Sequence, residues 1–392
     1  MSTVQYYDMS RLLATGARWL ICYGERSNGK TFQSLLYALK TYLKSGAKVG
    51  IIRRYREDFK GKRGGAYWDN LCYDGEGKNH VKELTKGKFD TITYYAGKWF
   101  LAYYDDENNK YVTEPEPFAY AFALTEMEHE KGNTYPIGTL IFDEFMSRSG
   151  YLADEFISFM NTVSTCVRSR AEINGQMIRI IMCANTISKY CPYWEEFGIE
   201  QKIRTMKKGD LAIINFGESG LKMAIEYCDS PNNNKPSDVF FAFDNPKLKM
   251  ITGGEWEIDI YPHLTTKFER KDIKFSYFIL FKEYILQADI IIMPNKAFTF
   301  IHKKTTPIKD EDRDIIFKCD AYENINYFGR LTKPTTKAGR KILSFFVNNK
   351  VFYSTNEVGE IMDQYMIWSE GISKLYNKTA VSSPHNTLPI TA

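Results

Sequence analysis

Apolar positions along the first half of the chain fall into short uninterrupted runs that alternate with longer stretches of helical spacing. That alternation predicts a mainly parallel sheet covered by helices. Residues 18–23 (RWLICY) form one such run and predict a strand, and residues 31–44 follow it as an amphipathic helix. A turn at Ser45-Gly46 leads into a second strand at 48–54 (KVGIIRR). Residues 91–95 and 99–104 flank Ala96-Gly97-Lys98, which predicts an inserted hairpin. Further strands are expected at 118–124 and at 139–142, the latter ending in acids. Residues 154–167 predict a helix, and 177–184 (MIRIIMCA) a buried strand that ends at Asn185.

From about residue 192 the pattern changes. Residues 192–230 carry one strand-like run, 211–216, and read as a small connecting unit. Residues 229–237 (DSPNNNKPS) are polar, with two Pro and three Asn, and mark a linker. Beyond them strands are predicted near 275–286, 290–293, 297–302 and 314–319, with helices at 337–348 and 355–369. This gives an N-terminal α/β domain over 1–197, a linker unit over 198–237, a C-terminal α+β domain over 238–377 and a loose tail over 378–392.

Composition narrows the class. The 392 residues are 44% hydrophobic and 26% charged with a net charge of +4, ordinary values for a chain with sizeable cores. Nucleic-acid contact would therefore rest on local patches such as Arg53-Arg54-Tyr55-Arg56 or Lys207-Lys208. Seven cysteines without a C-x-x-C pair, and five histidines, argue against a disulfide framework and a zinc site. The first residues lack a signal-peptide pattern, and no apolar run approaches the ~18 residues of a membrane span. No membrane association and a reducing cytoplasm are the expectations.

Chemistry enters with Gly24-Glu25-Arg26-Ser27-Asn28-Gly29-Lys30-Thr31, a full match to G-x-x-x-x-G-K-[ST] set between a strand and a helix. Glycines let such a loop wrap a pyrophosphate, so that backbone N–H groups and the helix N-terminus face the anion. Lys30 would neutralise the β- and γ-phosphates of ATP, and the Thr31 hydroxyl would sit on Mg²⁺. The strand at 139–142 delivers Asp143 and Glu144 at its C-terminal end, where ligands bind in open α/β sheets. Asp143 suits Mg²⁺ and Glu144 suits activation of the attacking water.

Asn185, at the end of its strand, is a candidate γ-phosphate sensor. Arg168 and Arg170 follow a predicted helix, and a mobile arginine there would stabilise transition-state charge in a neighbouring subunit. Arg53, Arg54 and Arg56 would lie near the sheet edge that holds the phosphate loop, and Lys131 is a lesser candidate for a subunit boundary.

Taken in order, YGERSNGKT, IIRRYRED, KGNTYP before TLIFDEF, TCVRSR and MCANTISKYCPYW resemble the genome-packaging ATPases of small podophages of the phi-29 group. The resemblance spans roughly residues 18–195. It implies an FtsK/HerA-type ATPase domain of the ASCE class, working as a homomeric, usually pentameric ring at the capsid portal in the host cytoplasm and driving double-stranded DNA into the procapsid. It also implies that Lys30 and Thr31 bind nucleotide, Asp143 holds Mg²⁺, Glu144 activates water, and Arg168 is the trans arginine finger with Arg170 as its rival. Lys131 would be a second trans cation. The C-terminal part would resemble an RNase H-like nuclease that has lost its catalytic acids and contacts the portal, an RNA scaffold or DNA. In the residues themselves, the central hairpin at 275–293 offers Glu283 and Asp289 but no clustered acid set, which points to a non-catalytic domain. Rival readings are a helicase or conjugative pump on the same core, a scaffold with a regulatory phosphate loop, and a terminase that cuts DNA.

Overall fold

In a computed structural model, residues 6–381 are described except 75–76, 127–134, 148–149, 153, 169, 188, 230–260, 311–312, 320–326, 329–330, 332–333 and 335; for 327–328 and 370–381 only the backbone is described. The chain divides into two compact units, Met1–Arg148 with Asp154–Glu257, and Ser149–Ala153 with Ile258–Ala392.

The first unit is built on one large sheet. Its strands are β1 (Trp19–Gly24), β2 (Lys48–Arg53), β3 (Thr91–Tyr95), β4 (Lys98–Asp105), β5 (Lys110–Thr113), β6 (Ala119–Ala123) and β7 (Ile137–Asp143). After a small hairpin, β8 (Glu172–Ile173) and β9 (Gln176–Met177), come β10 (Arg179–Asn185), β11 (Leu211–Phe216) and β12 (Leu221–Cys228). Among the described residues the order is β11-β12-β1-β10-β7-β2-β6-β4-β3, with β5 on β4. Every pairing from β12 to β6 is parallel, while β11 and β4 pair antiparallel at the two ends of that block.

Every residue of β1 and β7 is buried, as strands covered on both faces must be. Leu20 and Cys22 share a core with Leu35, Ala38 and Leu39 of the helix Lys30–Ser45. Their neighbour Trp19 packs edge-on against Phe159 and Phe197, and Phe142 of β7 meets Phe159 and Tyr193. Alternation along the strands thus feeds two separate layers. The sulfurs of Cys22 and Cys183, opposed in register across β1 and β10, lie 3.4 Å apart in the first layer.

The predicted strands and helices of the first half are present with small shifts. The strand expected at 177–184 begins at Arg179, because Met177 belongs to the small β8–β9 hairpin. The β3–β4 turn is Ala96-Gly97, both at positive φ (47° and 78°), so Lys98 already lies in the strand. The connecting unit is a correction. Residues 211–228 supply β11 and β12, and β12 pairs along the full length of β1, so they belong to the central sheet. Of the linker at 229–237, all but Asp229 lies outside the described residues.

The second unit holds a sheet of order β17-β16-β13-β14-β15-β18, formed by β13 (Ile273–Phe281), β14 (Tyr284–Met293), β15 (Lys296–Lys303), β16 (Ile316–Lys318), β17 (Tyr327–Phe328) and β18 (Val351–Tyr353). The strand predicted at 275–286 is a hairpin that turns at Lys282, whose φ is 52°. Helices run over Lys337–Val347 and Asn356–Val381, so 378–381, expected to be loose, continue a helix. No helix among the described residues is long and apolar enough to cross a membrane.

Candidate nucleotide site

Three parallel strands end side by side and set the site. In register, Gly24 of β1 stands opposite Asn185 of β10, and Cys183 of β10 stands opposite Asp143 of β7. The strand bearing Asn185 therefore lies between the phosphate-loop strand and the acidic strand. After Gly24 the loop passes through Ser27, which is left-handed (φ 56°), and reaches Gly29, which is left-handed (φ 94°) and caps the helix Lys30–Ser45. A Cβ at Gly29 would lie 3.1 Å from the Tyr6 Cβ, so the close pass of the N-terminal arm also favours glycine there.

Lys30 is only 5% exposed. Its ammonium donates to the Glu25 carbonyl, to Asn28 Oδ1 at 3.0 Å and to Asn185 Oδ1 at 3.5 Å. Burial pulls its pKa down. The buried Asn28 Nδ2 has no hydrogen-bond partner among the described residues. A buried cation held by neutral oxygens beside an orphaned donor fits a polyanion. Thr31 Oγ1 donates to Asp143 Oδ1 at 2.9 Å, a hydroxyl–carboxylate pair of the hard-oxygen type that suits Mg²⁺.

The other oxygen of Asp143 accepts from Arg53 Nη1 at 2.9 Å and from the Tyr67 hydroxyl at 3.0 Å. Arg53 Nη2 reaches Glu144 Oε2 at 2.8 Å. Burial works against the charge on Arg53, but Asp143, Tyr67, Glu144 and Asp58 together outweigh it and raise the guanidinium pKa. Burial and then Asp143 push the Tyr67 phenol well up, so it stays a donor. Glu144 has a side chain 61% exposed and a left-handed backbone (φ 57°). Asn28, Lys30, Thr31, Asp143, Glu144 and Asn185 line one cavity of about 590 Å³.

Other expected groups lie elsewhere. Glu25 is buried and paired with Lys208, and Arg26 is exposed. Neither Arg168 nor Arg170 lines the cavity. Arg168 is exposed at the left-handed C-cap of the helix Glu155–Val167. Arg170 donates to the carbonyls of Val167 at 3.0 Å, Tyr135 at 2.8 Å and Cys166 at 3.0 Å. Lys131 lies outside the described residues.

Most charges of the two basic stretches meet acids of the same chain. Arg53 meets Asp143 and Glu144, Arg54 is buried on Glu155, Arg56 reaches Glu126 at 2.6 Å, and Lys208 reaches Glu25. Carboxylates of the same chain already meet these charges. Sequence reasoning missed Tyr67, whose aromatic, Gly-rich surroundings carry no spacing that ties it to Asp143. It also missed the part of the cavity wall formed by Tyr6, Phe32, Asp74 and His80, in which His80 Nε2 lies 3.1 Å from Asp74 Oδ2.

Comparison with known proteins places this geometry in context. The DNA packaging protein of Bacillus phage B103 is 28% identical over 180 residues, covering 45% of this chain and 46% of that protein. The DNA packaging protein of Bacillus phage phi29 is 24% identical over 198 residues, half of each chain. The chain thus spans about half the length of the curated relatives it matches. A chain from the solved bacteriophage Phi-29 viral genome packaging motor assembly shares the fold, with a TM-score of 0.50 and 16% identity over 93% of this chain and 99% of that one. The family model for the podovirus DNA encapsidation protein (Gp16) matches residues 1–215, more than half of the chain. With the phosphate loop and the paired acids inside the matched segment, the protein belongs to the podovirus DNA encapsidation (Gp16) family.

Proposed function

We propose that this protein is an ATPase that moves double-stranded viral DNA into the procapsid, as a homomeric, pentameric ring seated on the portal in the host cytoplasm. The observation that carries the reading is the Lys30 ammonium, buried among neutral oxygens beside the Thr31–Asp143 pair, with Glu144 next along the chain. Lys30 and the Asn28 amide would hold the β- and γ-phosphates of ATP. Thr31 and Asp143 would hold Mg²⁺, which when bound draws charge off the phosphates. Glu144 would take a proton from the attacking water, and Asn185, level with Gly24, would register the γ-phosphate. Arg53 must release the two acids as metal and nucleotide enter.

Between the two arginines, the geometry favours Arg168 as the group that reaches a neighbouring subunit. It is exposed, with Nε 3.4 Å from the Thr165 carbonyl, whereas the half-buried Arg170 guanidinium is held by three backbone carbonyls of its own chain at 2.8–3.0 Å. Lys131 is assigned to the same boundary as a second trans cation. The second unit is proposed to be RNase H-like and non-catalytic, contacting the portal, a scaffold RNA or DNA. Its support is the order β15-β14-β13-β16-β17, antiparallel over the first three strands and parallel over the last three, on a central strand, β13, without a carboxylate.

The test is ATP turnover with and without double-stranded DNA, for wild type, Glu144→Gln and Arg168→Ala. DNA-stimulated turnover that both substitutions abolish, and that Arg168→Ala subunits poison in mixtures, is the expected result. Turnover that no DNA or portal alters in wild type would turn the reading toward a scaffold, and strand separation toward a helicase.

A further inference from the structure

We infer that Arg54, Glu155 and Tyr193 form a buried network whose task is to position Glu144; the inference rests on the hydrolytic role proposed for that residue. Arg53 and Arg54 are adjacent, and their side chains divide the work. Arg53 meets the carboxylates of Asp143 and Glu144. Arg54 grips the main chain behind them: Nη2 donates to the Phe145 carbonyl at 2.8 Å, and Nη1 lies 3.4 Å from the Glu144 carbonyl.

The guanidinium is itself fixed. It makes two 2.7 Å bonds to Glu155, through Nε to Oε2 and through Nη2 to Oε1. Tyr193 donates to the same Oε1 at 2.8 Å. Arg54 is 7% exposed, Glu155 4% and Tyr193 1%. A forked, fully dry pair of this kind holds its geometry more tightly than a lysine would.

The placement matters because the sheet ends at Asp143. Glu144 leaves it in a left-handed conformation that a residue with a side chain adopts only when its surroundings impose it. Holding the carbonyls of Glu144 and Phe145 fixes the main chain as it leaves Glu144, and so the direction in which the Glu144 side chain emerges. A general base displaced by about 1 Å loses on the order of 100-fold in rate. Buried ion pairs, by contrast, are commonly replaceable by apolar side chains of similar volume without loss of stability. Geometry is therefore what this pair supplies, and stability can be separated from it.

The experiment compares wild type, Glu144→Gln, Arg54→Lys and the double variant Arg54→Met/Glu155→Met in the full chain. It reads kcat, KM for ATP, affinity for a fluorescent ATP analogue, and melting temperature. Both Arg54 variants are expected to lose about 30- to 100-fold in kcat, with KM, analogue affinity and melting temperature close to wild type. Arg54→Lys keeps the charge facing Glu155, so it decides the matter if the double variant does not fold. Wild-type kcat in Arg54→Lys, or in a folded double variant, overturns the inference while leaving the role of Glu144 intact. A Glu144→Gln protein that turns over ATP like wild type defeats the hydrolytic reading itself, and the inference with it.

Discussion

Removing the arginine that faces the two acids should make the empty site depend on magnesium. In Arg53→Met the apolar stem is kept and the charge is lost, leaving Asp143, whose side chain is 7% exposed, with the Thr31 and Tyr67 hydroxyls among the described residues. At 2.9 Å and an effective dielectric of about 20, the Arg53–Asp143 attraction is about 6 kcal/mol before desolvation. Glu144 is 61% exposed and adds little. Breaking one side of a buried pair typically costs about 3–5 kcal/mol. For a unit of this size that corresponds to a fall of about 6–20 °C in melting temperature. Calorimetry in EDTA, and again in millimolar Mg²⁺ without nucleotide, is the assay. In the variant Mg²⁺ should recover much of the loss, because the cation takes the place that the guanidinium left; in wild type it should shift the melting temperature little. A variant that melts with wild type in EDTA, or a magnesium shift of equal size in both proteins, refutes the reasoning.

Two further outcomes follow from the packing. In the second unit, burial opposes ionisation of Asp289, but hydrogen bonds from His302, Ser276 and Gln287 outweigh it and hold the carboxyl below its ordinary value, while the bond to Asp289 raises His302. The histidine term is present below about pH 6.5 and lost as pH rises through the raised value; the aspartate term is present above about pH 4 and lost as pH falls. Stability of this unit should thus be greatest between those limits, and thermal unfolding of His302→Gln should lose the decline above pH 6.5; a variant that keeps the decline contradicts the assignment. In the first unit, a Cβ at Gly50 would lie 2.6 Å from Leu140 Cδ2 and 3.0 Å from Phe122 Cε2, so Gly50→Ala should cost about 1–3 kcal/mol in urea unfolding. A cost near zero would mean that Leu140 finds another rotamer freely.

The phosphate loop, the paired acids and the strand bearing Asn185 were legible because each joins a continuous apolar run to a fixed local spacing. β12 was not: its sequence, LKMAIEYC, breaks the apolar run with Lys222 and Glu226, and the partners of the buried Glu226 come from the N-terminal arm, where Tyr7 donates to it at 2.8 Å and Arg11 stands 3.7 Å away. The hairpin over 275–293 was legible, but its turn was placed too late, because Lys282 takes a left-handed conformation without Gly or Asn to announce it. Arg53 and Arg54 stood out as charges, yet their partners lie about 90 and 101 positions away, at Asp143 and Glu155. A basic run reads as surface unless the fold that brings acids to it is already known.

The opposed thiols of β1 and β10 belong to a wider property of the chain, one that bears on how the protein can be handled. Six of the seven cysteines are buried, and the seventh, Cys72, is half-buried with burial and Asp69 pushing its pKa to about 11. Alkylation proceeds through the thiolate, so Cys72 would react roughly 300-fold more slowly than a free thiol of pKa about 8.5. The native thiols are therefore expected to react slowly with maleimides at neutral pH. A single cysteine engineered onto the exposed surface, beside Arg168 for instance, would take a fluorophore alone, with none of the native thiols removed.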